Sequence, residues 1–183
     1  MNALRLNVAG LLKEQAGAVR DSTIDVAPDE LTDLLEDARP VAPLVGDLRL
    51  MRTPRSVFVR GNLTTQVAID CSRCLTEVRT PVELPLEAEY FPEIDISSGR
   101  ALAAPDDDLA FTIDGNHELD LTEIVRQDLL LALPMHTLCS DECLGLCPDC
   151  GTNLNQEECT CVPEAADERL TPLRALLQGR VGS

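Results

Sequence analysis

Aromatic side chains are nearly missing: the 183 residues include no Trp, one Tyr and three Phe. A surface of stacked aromatic platforms for nucleic-acid bases is thereby excluded, and the core has to be assembled from Leu, Val, Ile and Ala. Histidine is as scarce, with only His117 and His136. No Ser-His-Asp arrangement, histidine-rich metal triad or paired-carboxylate signature stands out, so the chain reads as a non-enzyme with no small-molecule substrate. No apolar run reaches the roughly 18 residues that a membrane span needs. Met1-Asn-Ala-Leu-Arg-Leu-Asn-Val8 alternates polar and apolar residues where a signal peptide would build an apolar stretch. Phosphate-binding glycine loops and internal repeats are absent too. The expectation is a cytoplasmic protein without a membrane partner, with one core or one core and a small metal-stapled appendix.

Positive charge is also short. Against 32 acidic residues stand 15 basic ones, for a net charge of −17. The imbalance is uneven: −5 over residues 1–48, +4 over 49–79 and −16 over 80–183. Two four-thiolate zinc sites would each add −2 and take −17 to −21. Such a surface repels phosphate, which disfavours RNA binding through a broad basic face. Only the stretch holding Arg49, Arg52, Arg55, Arg60, Arg73 and Arg79 could make a local phosphate contact; its plainer reading is a solvated sheet face. An acidic body suits a basic protein partner.

What is present in quantity is cysteine at metal-ligand spacing. Six of the eight fall in the last 45 residues, as Cys139-x3-Cys143-x3-Cys147-Pro-Asp-Cys150-Gly151-x7-Cys159-x-Cys161, and Cys71-x2-Cys74 forms a separate pair. Thiolates two residues apart can reach one tetrahedral ion, and a Gly after the second lets the backbone fold back so that its N–H groups face sulfur. Disulfides and unliganded buried thiols are the alternatives, but disulfide frameworks belong to short secreted chains. Cys147, Cys150, Cys159 and Cys161 are favoured as one zinc site, with Asn153 and Asn155 bonding the loop backbone. Cys71, Cys74, Cys139 and Cys143 would form a second that staples a hairpin turn to the segment after a helix. Spacing also permits Cys143, Cys147 and Cys150 to combine with Cys71 or Cys74, and His136 to substitute as a ligand, although His136 and His117 read better as ordinary polar residues. With every ligand position filled by sulfur, such sites are structural, because a catalytic zinc keeps a position open for water.

Alternation predicts the sheet. Leu4, Leu6 and Val8 trace a first strand that Gly10 interrupts, Val19 to Val26 a second and Val45 to Arg52 a third, with a short helix at Asp29 to Leu35. Val57, Val59, Leu63, Val67 and Ile69 are apolar at odd positions; Val78, Val82, Leu84, Leu86, Ala88 and Tyr90 at even ones. This predicts a long antiparallel ribbon turning at 71–75, with Cys71 and Cys74 sharing the parity of the core positions of their strands. Residues 91–108, ending in Asp106-Asp-Asp108, read as a solvated loop without the pattern of a calcium site. Phe111 and Ile113 give a short strand. Asp120 is placed as an N-cap with Glu123 in the reciprocal position, and Ile124, Val125, Leu129, Ala132 and Leu133 form the inner stripe of a helix over 120–133 that stops at Pro134. Thr171 starts a last helix with Pro172 in its first turn. The fold class is therefore α+β: an antiparallel sheet with a long ribbon and a tendency toward a barrel, one packed helix, and a Cys-rich zinc-knuckle region. The divisions are 1–135, 136–162 and 163–183.

Leu119 to Met135, followed by Cys139-x3-Cys143-Leu-Gly-Leu-Cys147-Pro-Asp-Cys150-Gly-Thr-Asn153-Leu-Asn155 and Cys159-x-Cys161, resembles the YceD-like family of bacterial and plastid large ribosomal RNA subunit accumulation proteins. The resemblance runs back through Cys71-Ser-Arg-Cys74-Leu and forward to Asp167-Glu-Arg-Leu, about residues 45 to 177. It implies a ribosome-biogenesis role in making or keeping large-subunit (23S) RNA, with no established enzymatic step. The partners would be the RNA precursor, a basic ribosomal protein, or both. Two other classes compete: a thiol-redox protein cycling Cys147 and Cys150, and a zinc-ribbon nucleic-acid binder.

Overall fold

A computed structural model describes residues 3–35, 38–103 and 110–161. Along the chain come β1 (Arg5–Asn7), the one-turn helix α1 (Ala9–Leu12), β2 (Val19–Val26), a 3-10 segment (Pro28–Leu34), β3 (Arg39–Pro40), β4 (Leu44–Arg52), β5 (Val57–Asp70), β6 (Glu77–Pro92), β7 (Phe111–Ile113), β8 (Glu118–Asp120) and α2 (Thr122–Ala132). The predicted ribbon is β5 and β6, paired antiparallel from Val57 opposite Tyr90 to Asp70 opposite Glu77. One face of it is apolar for its length: Val57, Val59, Leu63 and Val67 of β5 and Val82, Leu84, Leu86, Ala88 and Tyr90 of β6 are all buried.

The strands form one sheet in the order β1-β8-β7-β6-β5-β4-β2, with β3 on β5 beyond the end of β4. It is not wholly antiparallel as expected. β7 runs parallel to β6 along its last three residues, pairing Phe111 with Tyr90 and Ile113 with Pro92. The sheet curls into a half-barrel, and its edges β1 and β2 stay unpaired with each other among the described residues. Close strand approach at Gly46 and Gly61 belongs to this curvature: a Cβ at either would lie 2.2 or 2.4 Å from a backbone oxygen of the facing strand.

Three local expectations change. Gly10 sits inside α1, which buries Leu11 and Leu12, so the first strand ends in a helical turn. Asp120 belongs to β8; its Oδ1 accepts the Thr122 N–H at 2.8 Å, and its Oδ2 accepts from Arg5 Nε at 2.9 Å. Glu123 does not reach back, because Arg126 and Gln127 hold its carboxylate. The inner stripe of α2 is Ile124, Val125 and Leu129, and Leu133 just past its end packs partly buried against the same core, while Ala132 is exposed where the helix stops before Pro134. Residues 93–102 are a small hairpin and not an unstructured excursion: Ile94 pairs with Ala101, and the Leu102 N–H bonds Glu93 O at 2.8 Å. Asp106–Asp108 and the 163–183 helix and tail lie outside the described residues.

β5 and β6 overshoot their neighbours. β4 pairs only as far as Thr64 and β3 as far as Ala68, so the ribbon projects its turn away from the main core. A second, smaller buried cluster forms there around Cys71, Cys74 and Cys143, with Val78, Leu138 and Leu146 packed against it.

Candidate metal centres

Two tight turns of the same design present the first pair of each centre. In the ribbon turn, the Cys71 N–H bonds Thr76 O at 2.9 Å and the Leu75 N–H bonds Cys71 O at 2.9 Å; in the Cys147–Thr152 turn, the Cys147 N–H bonds Thr152 O at 2.8 Å and the Gly151 N–H bonds Cys147 O at 2.9 Å. The residue after the second Cys is left-handed in both, Leu75 at φ 59° and Gly151 at φ 75°. A threonine then closes each turn, with Thr76 Oγ1 3.3 Å from Cys74 Sγ and Thr152 Oγ1 3.2 Å from Cys150 Sγ. The shared sequence is Cys-x2-Cys-x-Thr, and the shared hydrogen bonds make both pairs knuckles.

The remaining ligands arrive from downstream. After α2, Thr137 O accepts from the Ser72 N–H at 2.8 Å and from Ser72 Oγ at 3.1 Å, which docks the chain beside the ribbon turn. The Cys139 N–H then points at Cys71 Sγ at 3.4 Å, and Arg73 Nη1 holds Cys143 O at 2.9 Å. Gly145 packs against Arg73, where a Cβ would lie 3.2 Å from Arg73 O, and the Leu146 N–H bonds the same oxygen at 3.1 Å. In the second centre the Cys161 N–H lies 3.3 Å from Cys159 Sγ.

The sulfurs converge in two groups, Cys71, Cys74, Cys139 and Cys143, and Cys147, Cys150, Cys159 and Cys161, with the ligand atoms of each group all within 4.8 Å of one another. All eight cysteines are free thiols. Sulfur–sulfur distances are 3.8 Å for Cys71–Cys143, 3.5 Å for Cys74–Cys139, 3.8 Å for Cys150–Cys159 and 3.3 Å for Cys147–Cys159. A tetrahedron of sulfurs each about 2.3 Å from a zinc ion has edges of about 3.8 Å, whereas a disulfide would bring two sulfurs to about 2.0 Å.

Electrostatics agrees with the geometry. The Arg73 N–H above all, helped by those of Cys74 and Cys139 and opposed by burial, pulls the Cys71 thiol down to about 6. Thr152, through hydroxyl and N–H, brings Cys150 to about 6. Their neighbours move the other way: the thiols of Cys74 and Cys143 push Cys139 up to about 12, and those of Cys159 and Cys150 push Cys161 up to about 12. Four thiolates in so small a volume cannot all be charged unless a cation sits among them, so each donor set fits one ion with a preference for sulfur.

Against known proteins, the family model described as "Large ribosomal RNA subunit accumulation protein YceD" matches residues 59–177. The chain belongs to this family. The match takes in the ribbon from Val59 onward, α2 and all eight cysteines, and begins after β4. Among relatives of the YceD-family chain, an uncharacterised protein of Mycobacterium leprae is 30% identical over 137 residues, 74% of this chain and 58% of that protein. Maize "Large ribosomal RNA subunit accumulation protein YCED homolog 1, chloroplastic" is 27% identical over 165 residues, 77% of this chain and 56% of the relative. Bacillus subtilis uncharacterised protein YlbN is 27% identical over 163 residues, covering 86% and 87%. The chain thus spans a little over half the length of the mycobacterial and maize relatives. No solved structure matches.

Of the other singled-out residues, His117 and His136 belong to neither sulfur group. Arg49 and Arg60 face each other across β4 and β5 and are each claimed by an acid, Arg49 by Asp21 at 2.9 Å and Arg60 by Glu87 at 3.3 Å. Asp21, Arg49, Arg60 and Glu87 therefore form a four-strand row with no net charge. Arg52 donates to Thr53 O and Ser56 O. Neither Arg52 nor Arg55 pairs with a carboxylate among the described residues. Sequence reasoning missed Thr76 and Thr152, although both stand two residues after the second Cys of a Cys-x2-Cys pair. Among the described residues no helix is long and apolar enough to cross a membrane.

Proposed function

We propose that this protein is a non-enzymatic ribosome-biogenesis factor that supports synthesis, processing or stability of large-subunit (23S) ribosomal RNA, with one structural zinc ion in each four-sulfur centre. The carrying observation is the pair of complete sulfur tetrads inside the family match: each offers four ligands, leaving no position for a reacting water. Zinc suits them because it takes tetrahedral thiolate sets and has no redox chemistry of its own.

The partner surface we favour is a basic protein of the large-subunit precursor, or a mixed RNA–protein surface. Around the centres Asp141, Glu142, Asp149, Glu157 and Glu158 are exposed, and two zinc-tetrathiolate units deepen this negative field. The same end carries exposed apolar side chains: Leu75 at 63%, Leu144 at 67%, Leu131 at 83% and Met135 at 94%. Leu75 holds a strained left-handed turn where the second knuckle has Gly, a substitution that folding alone does not favour. Apolar anchors within an acidic rim fit a basic protein better than phosphate.

A thiol-redox reading has one observation in its favour, the lowered thiols of Cys71 and Cys150. Those thiols lie in knuckles, not at a helix N-terminus after a strand, and each shares its site with three more sulfurs. Elemental analysis with thiol titration separates the two: close to two zinc ions per chain with protected thiols supports the proposal, and eight readily alkylated thiols with no metal refutes it. In cells, loss of the protein should lower large-subunit relative to small-subunit RNA, and the tagged protein should co-sediment with large-subunit precursors.

A further inference from the structure

The two sulfur centres are not independent. Residues 151–158, the loop that the second centre closes between Cys150 and Cys159, reach back to the first. Asn155 Nδ2 donates to Cys143 Sγ at 3.4 Å, and Asn155 Oδ1 accepts the Leu144 N–H at 2.8 Å. Asn153 Oδ1 fixes that amide, accepting from the Asn155 N–H at 3.0 Å and from Asn155 Nδ2 at 2.8 Å. Asn153 Nδ2 donates to Thr76 Oγ1 at 3.3 Å. Once Cys74 is a thiolate, that bond leaves the single Thr76 hydroxyl proton to face Cys74 Sγ, 3.3 Å away. Backbone contacts hold the loop in place, with Leu146 bridged to Asn153 and the Leu154 N–H on Gly145 O at 3.0 Å. Cys71 takes its N–H donors from within its own centre, and Cys74 faces the hydroxyl and N–H of Thr76 in its own turn, but Cys143 takes its side-chain donor from the loop of the other centre, and the same loop orients the Thr76 hydroxyl.

Resting on the metal assignment above, we infer that Asn155 and Asn153 are positioning residues for the first centre: closure of the second centre supplies the bond on Cys143 Sγ and orients Thr76 toward Cys74, so the two ions bind cooperatively. Outer partners of metal ligands commonly tune affinity by about 10–100-fold, and linkage requires the coupling to be reciprocal. The loop donates nothing comparable into its own tetrad except through Thr152, so the effect of the two asparagines should fall on the first ion.

The test uses the full chain loaded with zinc and, in parallel, with cobalt(II), whose sulfur-to-metal absorption reports each tetrathiolate. Release to excess chelator is followed for the native chain, Asn155→Ala and Asn155→Asp. Asp keeps the shape and the acceptor for the Leu144 N–H but can donate neither to Cys143 nor to Asn153 and adds negative charge, so a role confined to the Leu144 contact would leave Asn155→Asp close to native. Expected instead is about 10-fold or faster release of one of the two ions from both variants, with an altered charge-transfer band for that ion. In a Cys71→Ser/Cys74→Ser background the Asn155 substitutions should leave release of the remaining ion unchanged. In a Cys159→Ser/Cys161→Ser background the first ion should already leave fast, and Asn155→Asp should add little. Two ions released from Asn155→Asp at native rates, or acceleration confined to the second centre, overturns the coupling while leaving the metal assignment intact. Failure of the native chain to take up any metal overturns both.

Discussion

Replacing Cys147 and Cys150 by Ser should melt residues 144–161 and leave the sheet standing, with Cys139 and Cys143 still beside the ribbon turn. Ordering some twenty residues costs on the order of 20–40 kcal/mol of backbone entropy. The segment has little apolar burial to set against that: Leu146 and Leu154 are only half-buried and Leu144 is exposed, for a return of about 3 kcal/mol. On the proposed zinc assignment, the ion of the second centre, at about 10–16 kcal/mol, is the largest contribution against that cost, and its loss leaves the segment unsupported. The main core contains no cysteine and runs from Leu4 to Leu129 across the sheet and α2, so it does not depend on that contribution. Amide hydrogen exchange by mass spectrometry reads this directly. Protection should vanish at Cys147 and Leu154, whose N–H groups bond Thr152 O and Gly145 O, and persist through Val57–Asp70 and Glu77–Pro92. Global loss of protection would show that the sheet cannot fold without the metal module. Unchanged protection in 145–157 would show that sulfur ligation is not what orders it.

Leu75→Gly should raise the melting temperature by about 2 °C, since left-handed strain of about 1–2 kcal/mol is relieved against about 0.5–1 kcal/mol of added glycine entropy; it should also weaken capture of large-subunit precursors, and a lower melting temperature would contradict the strain argument. The Glu123 carboxyl, held by Arg126 and then Gln127, should titrate near 2 in place of 4.5 when followed by carboxyl NMR. Its folded value is depressed, so its contribution to α2 is complete above about 4.5 and lost as pH falls toward 2; an ordinary titration would remove the clamp from the solution structure. Arg52→Glu/Arg55→Glu should weaken binding to precursor particles, and the native protein should bind deproteinised RNA poorly at physiological salt; tight, steeply salt-dependent binding to naked RNA that ignores these arginines would overturn the electrostatic reading. Leu84→Ala, at a fully enclosed site, should cost about 2–5 kcal/mol in denaturant titration without lowering the metal content.

The ribbon was legible because both its strands bury one face only, and strict alternation then fixes which residues point inward. Cys71 and Cys74, read as inward by the same parity, are 0% and 4% exposed. The parallel β6–β7 pair was not legible: three-residue strands carry almost no periodic signal, and nothing in Phe111–Ile113 encodes the direction in which it pairs with Tyr90–Pro92. The helix cap failed for a related reason. Asp120 satisfies every local rule for an N-cap, but β1 recruits it as a sheet partner through Arg5, and a long-range ladder overrode a local preference.

The partition of the thiols shows how far spacing can go. Cys-x2-Cys identifies a pair, yet the partner pair is chosen by the fold: the ribbon turn meets Cys139 and Cys143 because Thr137 docks on Ser72, a contact with no sequence signature. The Arg-rich stretch illustrates the opposite limit. As sequence it is a patch of +4 over residues 49–79, but Arg49 and Arg60 are neutralised by Asp21 and Glu87, residues far away in the chain and adjacent only once the strands are in register. What is left for a phosphate is the β4–β5 turn with Arg52 and Arg55, at the other end of β5 from the ribbon turn that carries the first sulfur centre. On the proposed function, an RNA contact at that end and a protein contact at the sulfur-bearing end would be separable, and Arg52→Glu/Arg55→Glu should leave metal content and the Leu75-dependent part of particle binding intact. A loss of metal or of the Leu75 dependence in that variant would mean that the two ends act as one surface.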